Sequence, residues 1–132
     1  MRSLQLQADL AEMPRLAGWL AEQAAELGVA GRQLYAIELC LEEVVANLAL
    51  HAQPSGPGPI AVTVRLETAP LRLVVEDDAI PFDPTLATGA PAAQTLEEAG
   101  VGGLGLGLVQ SFAASREYGR HAGRNRLLLG FA

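Results

Sequence analysis

Hydrophobic and polar residues alternate at the start of the chain. Leu4 and Leu6 are apolar, Gln5 and Gln7 polar, which predicts a half-buried strand over residues 3–8. Asp9 then stands where it can cap a helix. Leu10, Met13, Leu16, Ala17, Leu20, Ala24 and Leu27 follow at helical spacing, with Gly28 as a stop signal. A second, longer helix begins at Gly31 and runs through Leu34, Ile37, Leu41, Val44 and Leu48 to about Ala52. Pro54, Gly56, Pro57, Gly58 and Pro59 break the chain there. Alternation returns over 60–66 and 71–75, and the short link between them predicts a hairpin.

Residues 77–103 hold no such pattern. They contain Pro81, Pro84, Gly89, Pro91, Gly100, Gly102 and Gly103 and predict at most a short helix over 92–99. A connection this long in so small a chain is usually functional. A helix over 104–114 follows directly from the glycines. Two strands, over 115–118 and 124–131, close the chain around a turn holding Gly119 and Gly123. The order β-α-α-β-β-loop-α-β-β predicts an antiparallel or mixed sheet covered on one face by helices, not a doubly wound fold.

Composition narrows the chemistry. The chain has 132 residues, enough for one domain, of which 50% are hydrophobic and 18% charged. All nine basic residues are arginine. With no lysine, Schiff-base chemistry and a Walker-type lysine are excluded, and a phosphate ligand would need backbone amides, arginine or a metal. The formal net charge of −6 argues against nucleic acid as a partner. Cys40 is the single cysteine, which excludes an intrachain disulfide. Together with His51 and His121 it cannot complete a structural zinc site. The N-terminus lacks the basic start and apolar run of a signal peptide, and no apolar stretch suits a membrane span. The expected compartment is the cytoplasm, with no membrane partner.

Within the second helix, Glu38 and Glu42 lie four apart and read as a solvated edge. Glu43, Asn47 and His51, at i, i+4 and i+8, form another line beside Leu39, Cys40 and Leu50. Asparagine is a poor residue for a helix interior, because its amide competes for backbone hydrogen bonds. The chain has two, Asn47 and Asn125. Two readings fit the stripe. Glu43 and Asn47 satisfy each other or a buried backbone group, or they face a pocket as a carboxylate and an amide. In the second case the glutamate suits proton transfer from a nucleophile. The amide oxygen is a hard donor suited to Mg²⁺.

Glu76, Asp77 and Asp78 follow a strand and lead into Ala79-Ile80-Pro81-Phe82-Asp83-Pro84. The segment reads as a turn with acidic caps, or as a ligand wall in which a carboxylate accepts from an amino group and Pro81 and Phe82 border an apolar slot. Residues 100–109 carry five glycines among apolar residues and run into a helix. Such a run serves as a linker, or brings backbone amides and a helix N-terminus to a phosphate.

In this order, the three segments resemble the Bergerat-type nucleotide site of the GHKL ATPase and kinase superfamily. Residues 43–52 resemble its N box, Glu-x-x-x-Asn-x-x-x-His-Ala. Residues 77–84 resemble the first glycine box and residues 102–109 the second. The ending Gly123-Arg124-Asn125-Arg126-Leu127 resembles one branch, the stand-alone anti-sigma-factor serine/threonine kinases of bacterial partner-switching systems. The likeness spans about residues 3–131.

The resemblance implies an α/β (α+β) two-layer sandwich, with a mixed, mainly antiparallel sheet and helices on one face, as a single histidine-kinase-like ATPase domain over 1–132. It implies ATP and Mg²⁺ as cofactors. Glu43 is then the general base, Asn47 the ligand of the Mg²⁺ that bridges the phosphates, and His51 a supporting residue near them. Asp77 accepts from the adenine amino group, with Ala79 and Phe82 beside the base. Residues 85–101 form the lid, and Gly102, Gly103, Leu104, Gly105, Leu106 and Gly107 line the phosphates. The implied partners are a sigma factor, which the protein sequesters, and a STAS-type antagonist protein whose serine or threonine it phosphorylates. A homodimer is also expected, for which Leu4, Leu6 and the first helix offer an apolar surface unless they belong to the core. Ala79 stands where the first glycine box has glycine, so a methyl group narrows the base slot or forbids a positive φ. The alternative reading is therefore a binding module of the same fold with weak or no catalysis.

Overall fold

The computed structural model describes residues 3–81 and 112–132. Strand β1 (Ser3–Gln7) leads into two helices, α1 (Met13–Leu27) and α2 (Gly31–His51). Strands β2 (Ala61–Glu67) and β3 (Arg72–Asp77) follow, then β4 (Ser115–His121) and β5 (Arg124–Gly130). Among the described residues the five strands form one sheet in the order β1-β2-β3-β5-β4. Every pairing is antiparallel, so the parallel component allowed for by a mixed sheet is absent from these strands.

Alternation explains which face is covered. Leu4 and Leu6, Val62, Val64 and Leu66, Leu73 and Val75, and Leu127 and Leu129 are buried in one cluster with Leu16, Leu20, Ile37, Leu41 and Val45 of the helices. Leu4 and Leu6 are thus core, as are Leu16, Leu20 and Ala24 of α1, while Ala17 and Leu27 of that helix are exposed. On the opposite face Val74 is also buried, beside Arg65 and Leu128 in register. Arg65, its neighbour in register, directs its charged head to Glu67 and Glu76.

Local chemistry sets the ends of the elements. Asp9 caps a 3-10 turn, Leu10–Glu12, by accepting from the Ala11 amide at 2.9 Å, and α1 starts only after that turn. Gly28, at φ 73°, ends α1; the Val29 amide reaches back to the Ala24 carbonyl at 2.8 Å. The last hairpin turns on Ala122 and Gly123, both at positive φ, as a two-residue hairpin turn of the I′ kind requires. Gly119 lies inside β4 rather than in the turn.

Two strands are longer than their sequence pattern predicts. β3 continues through Glu76 and Asp77, which are therefore not turn caps, because each pairs with a side chain of β5 or β2. β4 reaches His121, held along its length by β5. The predicted helix over 92–99, the lid over 85–101 and residues 104–111 of the predicted helix over 104–114 lie outside the described residues; of the rest of that helix, Phe112 is helical and Ala113 and Ala114 are not. No helix among the described residues is long and apolar enough to cross a membrane.

Candidate functional site

The last two turns of α2 and the end of β3 face each other across a cavity of about 340 Å³. That size suits a small-molecule site. Val44 and Leu48 of α2, Val75 of β3 and Leu127 of β5 make its walls apolar. The polar groups on the lining are few. Asn47 and His51 enter from α2, Asp77 from β3, Tyr118 from β4 and Asn125 from β5.

The segment leaving β3 is pinned to the segment leaving α2. Ala79 bridges Pro54, and the Ile80 amide donates to the Gln53 carbonyl at 3.0 Å. Ser55 Oγ donates to the Asp78 carbonyl at 2.7 Å, and the Asp78 carboxylate accepts from the Ala61 amide at 2.8 Å. These bonds hold Ala79, Ile80 and Pro81 as one wall of the cavity.

The floor is a buried polar network. Asp77 and Asn125 are partners across β3 and β5 and are 6% and 4% exposed. Asn125 Nδ2 donates to Asp77 Oδ1 at 2.8 Å, and the Ala79 amide donates to the same oxygen at 3.0 Å. Nδ2 also meets the carbonyls of Ile80 at 3.1 Å and Ala79 at 3.3 Å. On the other side of the amide, Asn125 Oδ1 accepts from the Tyr118 hydroxyl and from Arg120 Nη1 at 3.1 Å. Acceptors surround Nδ2 and donors surround Oδ1, so the amide has a single consistent orientation. Burial raises the Asp77 carboxyl above its ordinary range and the Asp78 charge adds to this, while the Asn125 and Ala79 hydrogen bonds and Arg120 oppose it.

The sequence-predicted residues fall into three groups. Asn47, His51, Asp77 and Ala79 come together on one cavity. Glu43 sits one turn before Asn47 on α2, half-buried, and is not on the cavity lining. Phe82, Gly102, Gly103, Leu104, Gly105, Leu106 and Gly107 lie outside the described residues. Glu38 and Glu42 are exposed, as the solvated-edge reading has it.

Ala79 is 2% exposed and is not among the positive-φ residues. A side chain therefore brings no backbone strain at this position, and its effect is confined to the methyl group in the cavity. Cys40 is fully buried, and burial pushes its thiol up to about 11, which leaves it inert as a nucleophile.

Sequence reasoning passed over Asn125, Tyr118 and Arg120 as site residues. A signal existed for the first of these. Asn125 shares the inward alternation of Leu127 and Leu129, and an amide at an inward strand position needs partners.

No cluster of three or more His, Cys, Asp or Glu among the described residues could hold a metal by itself. A metal at this cavity would depend on oxygen donors from a ligand, with Asn47 as one protein donor. That is the usual situation for Mg²⁺ on a phosphate ligand.

Comparison with known proteins agrees with this geometry. The profile of the histidine kinase-like ATPase domain matches residues 6–131. Serine/threonine-protein kinase BtrW of Bordetella bronchiseptica is 33% identical over 112 residues, which is 84% of this chain and 79% of that protein. A domain match across nearly the whole chain, over an all-antiparallel sheet with a nucleotide-sized cavity under α2, makes this chain a member of the histidine kinase-like ATPase domain family.

Proposed function

We propose that the chain is an ATP-dependent protein serine/threonine kinase. In this reading it transfers the γ-phosphoryl group to a hydroxyl of a small STAS-type antagonist protein and sequesters a sigma factor, acting in the cytoplasm as a single domain. Membership in an ATPase-domain family supplies the ATP, and the similarity to a serine/threonine kinase supplies the class of acceptor. The observation that carries the reading is the shared cavity. A side-chain amide, Asn47, and a buried carboxylate, Asp77, line the same apolar chamber.

The residues have separate tasks. Asp77 accepts the adenine amino group, and the wall of Ala79, Ile80 and Pro81 covers the base. Asn47 would be the residue that holds Mg²⁺, with His51 supporting that end. Mg²⁺ would offset phosphate charge as the transferring group develops it. Glu43 takes the proton from the attacking hydroxyl. By family resemblance residues 85–101 are assigned as the lid and 102–107 as the phosphate segment, where backbone amides would do the work that lysine does elsewhere.

Glu43→Ala tests the assignment of the base. Phosphorylation of the cognate antagonist is expected to disappear while ATP binding persists. Phosphorylation at the parent rate would remove Glu43 from that role. Calorimetry with ATP and Mg²⁺ separates the kinase from the binding-module reading. Absence of heat at millimolar nucleotide would favour the module.

A further inference from the structure

We infer that Asn125 is a specificity-determining positioning residue: by saturating one oxygen of Asp77, it leaves the base site able to accept a 6-amino purine and unable to accept guanine. The inference rests on the nucleotide-binding reading above and goes beyond it.

Each carboxylate oxygen has about two lone-pair sites. On Asp77 both sites of Oδ1 are taken, one by Asn125 Nδ2 at 2.8 Å and one by the Ala79 amide at 3.0 Å. Oδ2 is then the oxygen left for an occupant of the cavity that Asp77 lines. Adenine offers its exocyclic amine as a donor and needs one acceptor. Guanine offers two parallel donors, N1–H and the 2-amino group, and binds a carboxylate well only when both oxygens are open. Against this carboxylate the second guanine donor would meet an oxygen already filled, beside two other N–H groups. Discrimination follows because a buried donor left without an acceptor costs its desolvation.

The amide cannot turn away to release Oδ1. Tyr118 and Arg120 donate to Asn125 Oδ1 from β4, and the Ile80 carbonyl holds the other amide hydrogen at 3.1 Å. Reversal would set Oδ1 against a carboxylate and two carbonyls. The selectivity is therefore built by three side chains, of which Arg120 is exposed and absent from the cavity lining.

The test is calorimetry of the full chain with ATP and with GTP, each with Mg²⁺. The parent is expected to favour ATP by ~10-fold or more, the scale of one charge-assisted hydrogen bond. Asn125→Leu keeps the branched shape of the side chain and removes the donor. It is expected to bring the ATP-to-GTP ratio within about threefold, by weakening ATP and strengthening GTP. Asn125→Thr, which restores a donor, is expected to retain a preference for ATP. If Asn125→Leu fails to fold, Arg120→Ala and Tyr118→Phe loosen the amide from outside, and each is expected to lower the same ratio. A folded Asn125→Leu with the parent's ratio overturns the inference, as does an unchanged ratio in both outer variants. A parent that binds both nucleotides equally overturns it as well. A parent that binds neither removes the nucleotide reading and this inference with it, and so is distinguishable from failure of the inference alone.

Discussion

Asp77 carries a charge in a place that disfavours it. Its carboxyl is raised chiefly by burial, only partly offset by the Asn125 and Ala79 hydrogen bonds. A carboxyl raised in the folded state binds its proton more tightly there than in the unfolded chain. Its ionised form therefore costs stability at neutral pH, and this cost is relieved as pH falls through the raised value toward the unfolded one. Asp77→Asn keeps the shape and removes the charge, so it is expected to raise the melting temperature at pH 7 while abolishing ATP binding. Thermal melts and calorimetry on the same sample check both halves. Binding should follow the same group. With adenosine, which carries no titrating phosphate, affinity is expected to fall as pH drops through a value above that of an ordinary aspartate. Asp78, Arg120 and His51 are the other charged or titratable groups near Asp77, so the titration is repeated in His51→Gln. A limb that vanishes there would belong to His51.

At the scale of elements, hydrophobic spacing marked both helices and four of the five strands, because each of these buries one face against a common core; the remaining strand, β4, was read from its place beside the last turn. Spacing misplaced the ends of β3 and β4. Glu76 and Asp77 look like turn residues, but Arg65 and Asn125 satisfy them from neighbouring strands, and no local pattern contains that information. β4 has little apolar alternation because it is an edge strand with both sides open to water. Three stripe and strand-end residues, Asn47, His51 and Asp77, stood out from spacing and family likeness, and the fold brings them to one cavity. The Asn125 network did not stand out, since its members meet only through the sheet register. Caps were legible where one residue sufficed. Gly28→Ala places a side chain at φ 73° with no atom within 4 Å of the added Cβ, so its cost is conformational rather than steric. A loss of about 1–2 kcal/mol in chemical denaturation is expected, with ATP affinity unchanged.

Across the whole molecule, the two faces of the sheet are held differently. The helix face is apolar. The other face carries linked ion pairs: Arg65 to Glu76 at 3.0 Å, Arg72 to Glu67 at 2.6 Å and Arg126 to Glu76 at 3.4 Å. The Arg72 hydrogen bond holds the Glu67 carboxyl below its ordinary range, with Arg65 adding to the effect. A lowered carboxyl contributes stability above its unfolded value, and this is lost as pH falls through the folded one. Glu67→Gln is therefore expected to lose stability at pH 7 and to show a shallower decline than the parent between pH 5 and pH 3. Identical acid limbs in urea melts would show that the pair is screened out, as exposed pairs often are.

The pinned ends of the segment between β3 and β4 have a consequence for how such a protein can change. Ile80 is tied to Gln53 on one side and Ala114 to the Gly130 carbonyl on the other, while β3 and β5 pair along their length regardless of what joins them. The entropy of closing a connection grows with the logarithm of its length, about 0.6 kcal/mol for each doubling. Doubling the length of the connection between those two ties would thus add only about 0.6 kcal/mol of closure cost. Closure entropy therefore places little limit on how long that connection can become.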